Sequence, residues 1–118
     1  MQSKPPSQIE LLRGTLDFLI LRTLLPGPSH GHAIAKHIQR TSEDVLQVET
    51  GSLYPALHRL EAKGWIDAFW ELSDKGKRAR FYRLTRQGRK QLAIEQSKWE
   101  KFSRAVRLIV NPAWQEGQ

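Results

Sequence analysis

The chain has 118 residues, no cysteine, 39% apolar residues, 26% charged residues and a formal net charge of +7, the composition of one small basic globular domain whose thin core would gain from a second copy. Zero cysteines exclude a disulfide framework and thiol-based metal or nucleophile chemistry, and point to the cytoplasm. The opening Met1-Gln2-Ser3-Lys4-Pro5-Pro6 carries no apolar stretch, and Glu10, Arg13, Asp17 and Arg22 interrupt the densest apolar run, Ile9 to Leu25, so neither a secretion signal nor a membrane span is expected.

That run holds ten apolar residues in seventeen, which predicts a first helix buried on more than one side. Pro26-Gly27-Pro28 stops it, and Ser29 can open a short second helix, Gly31 to Arg40, with Ile34 and Ile38 one turn apart. Thr50 is a good N-cap for a third helix that runs to Lys63, with Ser52 or Leu53 opening the helix proper, Pro55 in its first turns and Gly64 as its stop. From Trp65 the period becomes two. Ile66, Ala68 and Trp70 alternate with Asp67, Phe69 and Glu71, and after Ser73-Asp74-Lys75-Gly76 a second run, Arg80 to Leu84, completes a β-hairpin. Thr85 caps a fourth helix of about 25 residues that ends before Asn111-Pro112. On it Leu92, Trp99, Phe102, Val106 and Ile109 recur at spacings of 7, 3, 4 and 3. So narrow a seam, interrupted only at Glu95, packs on another helix and predicts a homodimer. The ends, Met1 to Pro6 and Gln115 to Gln118, are expected to fray.

Positions 75 to 90 contain eight basic residues and no acidic one, while the rest of the chain is nearly neutral. A localised cationic patch suits a polyanion, although basic runs alone are also ordinary solvated surface. The order helix, helix, turn, helix, basic hairpin is that of a winged helix-turn-helix, a mainly α fold with a small β-hairpin (α+β), here extended by a C-terminal dimerisation helix. Residues 8–84 form the winged helix-turn-helix DNA-binding unit and 85–111 the dimerisation helix, within one compact domain. On the third helix Leu53, Leu57 and Leu60 cluster, whereas Ser52, Pro55, His58, Arg59 and Ala62 face away. Thr50, Ser52, Tyr54, Pro55, His58 and Arg59 are therefore the recognition-helix candidates, with Arg59 taking guanine or a phosphate. Tyr54 has two readings, packing between helices or a hydroxyl offered to phosphate. Lys75, Lys77, Arg78 and Arg80 are the candidates on the wing.

Several stretches together resemble the PadR transcriptional regulators: Leu16-Asp17-Phe18-Leu19-Ile20-Leu21, Gly27-Pro28-Ser29-His30-Gly31-His32-Ala33-Ile34, the run from Gly51 to Glu61, Gly64-Trp65-Ile66, and Tyr82-Arg83-Leu84-Thr85-Arg86-Gln87-Gly88. The resemblance spans about residues 10 to 110; His32 stands where the family more often has tyrosine. It implies a dimeric winged-helix repressor of the smaller subfamily, in which the fourth helices help form the dimer. Some members admit planar drugs between paired tryptophans, and Trp99 stands at the matching place. The resemblance thus implies double-stranded promoter DNA and a second copy as partners, with a small aromatic or cationic effector at Trp99.

Other chemistries are poorly served. His30, His32 and His37 lack carboxylate or thiol partners at ligand spacing, so no metal and no cofactor are expected. Ser29, Ser52 and Ser73 have no nucleophile-elbow surroundings, and the glycines match no phosphate loop, which argues against an enzyme. Trp65 and Trp70 are expected in the core, Trp114 lies near the chain end, and Trp99 on the seam either packs or binds. The alternative function is a winged-helix protein-interaction module whose basic hairpin meets an acidic partner; RNA binding is a weaker third.

Overall fold

The computed structural model of the chain describes residues 9–10 and 13–111. The element order is β1 (Ile9–Glu10), α1 (Arg13–Thr23), β2 (Ser29–His30), α2 (Gly31–Thr41), β3 (Leu46–Gln47), α3 (Thr50–Ala62), β4 (Ile66–Leu72), β5 (Arg78–Leu84) and α4 (Arg86–Val110). Three helices and a hairpin thus form a winged helix-turn-helix, from which α4 extends. The segments expected to fray and Trp114 lie outside the described residues.

The first helix is shorter than its apolar run suggests. Ile9 and Glu10 belong instead to a strand paired parallel with β3, Ile9 opposite Leu46; Leu11 and Leu12 lie outside the described residues. Leu16, Ile20 and Leu21 of α1 and Leu24 just after it are buried while Phe18 and Leu19 are half-buried, so more than one side is covered. Ser29 does not open the second helix, because it pairs with Tyr82 as β2 on the edge of a three-stranded sheet ordered β2-β5-β4. The cap is His30, whose Nδ1 accepts from the Ala33 N–H at 3.2 Å and supplies one of the acceptors a helix start lacks.

The third helix starts earlier than expected. Glu49, extended at φ −88° and ψ 148°, is the N-cap, and its carbonyl takes the N–H groups of Ser52 and Leu53. Thr50 is therefore the first helical residue. At the other end Gly64 adopts φ +75°, with Trp65 N donating to the Leu60 carbonyl and Gly64 N to that of Glu61. This is a Schellman stop, which a side chain at 64 would strain.

The hairpin is longer than its second apolar run, since Leu72 already faces Arg78 and the register holds to Ile66 opposite Leu84. Its turn closes through Ser73 N to the Lys77 carbonyl at 2.8 Å, with Gly76 at φ +77°. Thr85 Oγ1 then caps α4 by accepting from Gly88 N at 3.0 Å, and donates to the Gly64 carbonyl at 2.7 Å. One hydroxyl so ties the root of α4 to the end of α3. The core joins Leu16, Ile20 and Leu21 of α1, Leu24 in the turn after it, Ile34 and Ile38 of α2, Leu53, Leu57 and Leu60 of α3, Tyr82 of the hairpin and Leu92 of α4. Burying such side chains is what fixes the helices to one another.

Candidate nucleic-acid interface

Leu53, Ala56, Leu57 and Leu60 of α3 face the core, and Thr50, Ser52, Tyr54, Pro55 and His58 are exposed. Arg59 differs from expectation. Its Nη2 lies 2.7 Å from Asp17 Oδ1 of α1, and the two side chains are only 22% and 16% exposed. At 100° per residue Arg59 stands about 110° from the centre of the buried face, on the flank rather than the outside, within reach of α1. It anchors the helix to α1 instead of pointing outward. On the opposite flank, Tyr54 packs across the start of α2: a Cβ on Gly31 would stand 2.8 Å from the Tyr54 hydroxyl. A side chain at position 31 would have to push that ring aside. Of the two readings of Tyr54, the structure has the packing between helices, and the residue also lines an open cleft.

That cleft, of about 1020 Å³, runs between α2 and the wing tip. Lys36 and Arg40 of α2 line it on one side, Asp74 and Lys75 of the wing turn on the other, together with Tyr54, Arg80 and Tyr82. Burial holds the Tyr82 phenol above its ordinary pKa of 10.0, against the nearby Arg80 guanidinium, which pulls it down. It therefore stays a neutral hydroxyl beneath a cationic groove. Sequence reasoning missed the α2 wall. Its signal was present in His32, Lys36 and Arg40, four residues apart on the side of the helix away from Ile34 and Ile38. His37 lines the cleft too, while His30 is occupied by its cap and by Phe81, edge-on at 5.3 Å. Among the described residues no three His, Cys, Asp or Glu are grouped to hold a metal ion.

Lys75, Lys77 and Arg78 of the wing are exposed. Arg80 is tied to Glu61 of α3 at 2.7 Å, which docks the wing against the third helix. Trp70, expected in the core, is 55% exposed with Arg78 over its ring at 5.4 Å, because the hairpin's apolar face outruns the helices that cover it at Ile66 and Tyr82. Trp65 does pack against the core, with Lys63 Nζ 4.7 Å from its ring centroid.

On α4 the expected seam divides. Leu92 is 4% exposed and belongs to the chain's own core, whereas Trp99, Phe102, Val106 and Ile109 are open by 47%, 60%, 38% and 77%. Phe18 of α1 approaches Trp99 at 6.5 Å, and Trp99 approaches Phe102 at 6.1 Å. These rings wall a crevice of about 340 Å³ beside Glu95 and Lys98.

The position of Arg59 sets an expected result. Asp17→Ala leaves a half-buried guanidinium unpaired and should lower stability by about 1–3 kcal/mol, as should Arg59→Ala; in the double variant the two losses should fall short of their sum. Urea melts of the four proteins measure this coupling, and strictly additive losses would mean that the pair contributes nothing.

The family model of PadR-like transcriptional regulators matches residues 20–94. An uncharacterised protein X of Lysinibacillus sphaericus is 31% identical over 102 residues, 86% of this chain and 93% of that one. A transcriptional regulator of Mycobacterium tuberculosis is 32% identical over 97 residues, 82% and 87% of the respective chains. Among solved structures, a transcriptional regulator from Clostridium thermocellum aligns with a TM-score of 0.73 at 30% identity, over 80% of this chain and 92% of that one. A PadR family transcription regulator from Clostridium difficile aligns at 0.71 and 29% identity, over 80% and 97%.

Proposed function

The chain belongs to the PadR-like family of transcriptional regulators, a family of regulators and not of enzymes, and from that footing we propose that it is a homodimeric repressor reading a pseudo-palindromic DNA operator. The observation that carries this reading is the exposed, uncharged start of α3, Thr50, Ser52, Pro55 and His58, set beside a groove walled by Lys36 and Arg40 on one side and Lys75 on the other. Small neutral side chains allow close approach to base edges, and flanking cations meet the phosphates. The open stripe of Trp99, Phe102, Val106 and Ile109 supplies the surface for a second copy. Two reading helices about 34 to 36 Å apart would match one turn of DNA. No helix among the described residues is long and apolar enough to cross a membrane.

A gel shift with the DNA upstream of the chain's own gene tests the proposal. Specific binding should exceed random-sequence binding by about a thousandfold or more at physiological salt. Neutralising Lys75 or Lys77 should weaken all sequences alike and reduce the salt slope by about one unit each. Equal affinity for all DNA, or binding only to an acidic protein, would overturn it.

The crevice between Phe18, Trp99 and Phe102 suits a flat aromatic cation that would stack on the rings and compete with Lys98, 4.0 Å away, for the Glu95 carboxylate. Saturable quenching of tryptophan fluorescence by planar cationic dyes, lost in Trp99→Ala, is the expected result; quenching that survives the substitution would remove the effector from this crevice.

A further inference from the structure

Arg78, Arg80 and Arg83 all lie on β5, but they are not equally available. Arg80 is held by Glu61 at 2.7 Å. Arg83 is held by Asp67 at 3.5 Å and lies over Phe69 at 4.8 Å. Arg78, at the outer end of the strand, has no carboxylate partner among the described residues; its guanidinium carbon sits 5.4 Å from the centroid of the Trp70 ring. The register explains the stack. Trp70 stands opposite Arg80 and Leu72 opposite Arg78, so Trp70 and Arg78 are diagonal neighbours on one face of the ribbon, within reach for an indole and a long side chain. Arg80 leans toward the base of the wing, leaving the indole face to Arg78. Trp70 and Leu72 remain 55% and 63% exposed, an apolar surface that no other part of the chain covers among the described residues.

We propose that Trp70 and Arg78 form a shape-reading element, in which the indole holds the guanidinium along the wing for entry into a narrowed, A·T-rich minor groove. The proposal rests on the DNA-binding reading above and adds a specificity determinant to it. A narrow minor groove concentrates negative potential and favours arginine over the more strongly hydrated lysine. An arginine already stacked on an aromatic ring loses less freedom when it enters. Trp70 is the positioning residue, and the exposed Leu72 edge suits the sugar walls of such a groove.

The test uses the full chain and two duplexes of equal length, one carrying A-tracts and one G·C-rich, titrated by fluorescence anisotropy at several salt concentrations. The wild type should prefer the A-tract duplex by about fivefold or more, and Arg78→Lys should reduce the preference to under about twofold while keeping the salt slope, since the charge is retained. Trp70→Leu should lose the preference in the same way and Trp70→Phe should keep most of it; melting curves for all variants should match the wild type, because the indole is an exposed group. A preference unchanged in Arg78→Lys, or absent in the wild type while both duplexes bind, overturns the shape-reading element alone. Failure of the wild type to bind either duplex overturns the DNA-binding reading and this inference with it.

Discussion

Gly88→Ala should destabilise the chain by about 3 kcal/mol or more, lowering the melting temperature by roughly 10 °C or more. Gly88 lies in the first turn of α4, where an added Cβ would collide with the Trp65 carbonyl and meet Leu84 Cδ2 at 3.1 Å. The obstacle is backbone and cannot swing aside. Trp65 O is also the acceptor for Thr85 N at 3.1 Å, and Thr85 Oγ1 is bonded to Gly64 O at 2.7 Å, so relieving the clash would break the bonds that root α4 on the hairpin and on α3. Gly14→Ala is the matched control. Nothing lies within 4 Å of a Cβ there, and an exposed helical glycine gains about 0.5–1 kcal/mol on replacement by alanine. Thermal unfolding followed by circular dichroism reads both, and a Gly88→Ala protein that melts with the wild type would mean that α4 can shift on its root.

The second large effect concerns assembly. Phe102→Asp combined with Val106→Asp places two charges on the open stripe of α4 and should convert a particle of about 27 kDa, twice the 13.6 kDa chain, into a monomer. Operator affinity should then fall by about a hundredfold or more, because the second half-site is no longer engaged at high effective concentration. Since both residues are exposed in the single chain, at 60% and 38%, its fold should survive. Sedimentation and a gel shift on the same samples separate the outcomes. A dimer that persists would move the interface elsewhere, and a monomer that binds the operator undiminished would break the link between pairing and reading.

What was legible in the sequence was local. Thr85 before a helix, Gly64 after one, and the change of period at Trp65 each state a boundary through backbone chemistry within a few residues, and each is found in the fold. What was not legible depends on partners far along the chain. Ile9 and Glu10 form a strand only because Leu46 and Gln47 lie beside them. Arg59 turns aside for Asp17, 42 residues earlier, and no pattern inside the third helix announces that pair. The alternation that marks Trp70 as core continues past the point where the helices stop covering the sheet, and a two-residue period carries no information about where a neighbour ends. Leu92 and Trp99 share one stripe by spacing, yet the first meets the chain's own core and the second is open. The cationic wall on α2 was readable from His32, Lys36 and Arg40, but only once α2 is seen to face the wing.

The division of that stripe has a mechanical side. Leu92 is clamped in the core and Val106 is open on the same uninterrupted helix, fourteen residues and about 21 Å further on. A rigid rod held at its outer end is a lever, and tilting it by about 10° about that end carries the Leu92 end through roughly 4 Å. Whatever meets the outer half of α4 thereby sets the placement of α3, since Thr85 and Gly64 bolt the two helices together at the root. A contact confined to the outer half of α4 would therefore shift α3 without touching it, by more than a hydrogen bond can stretch.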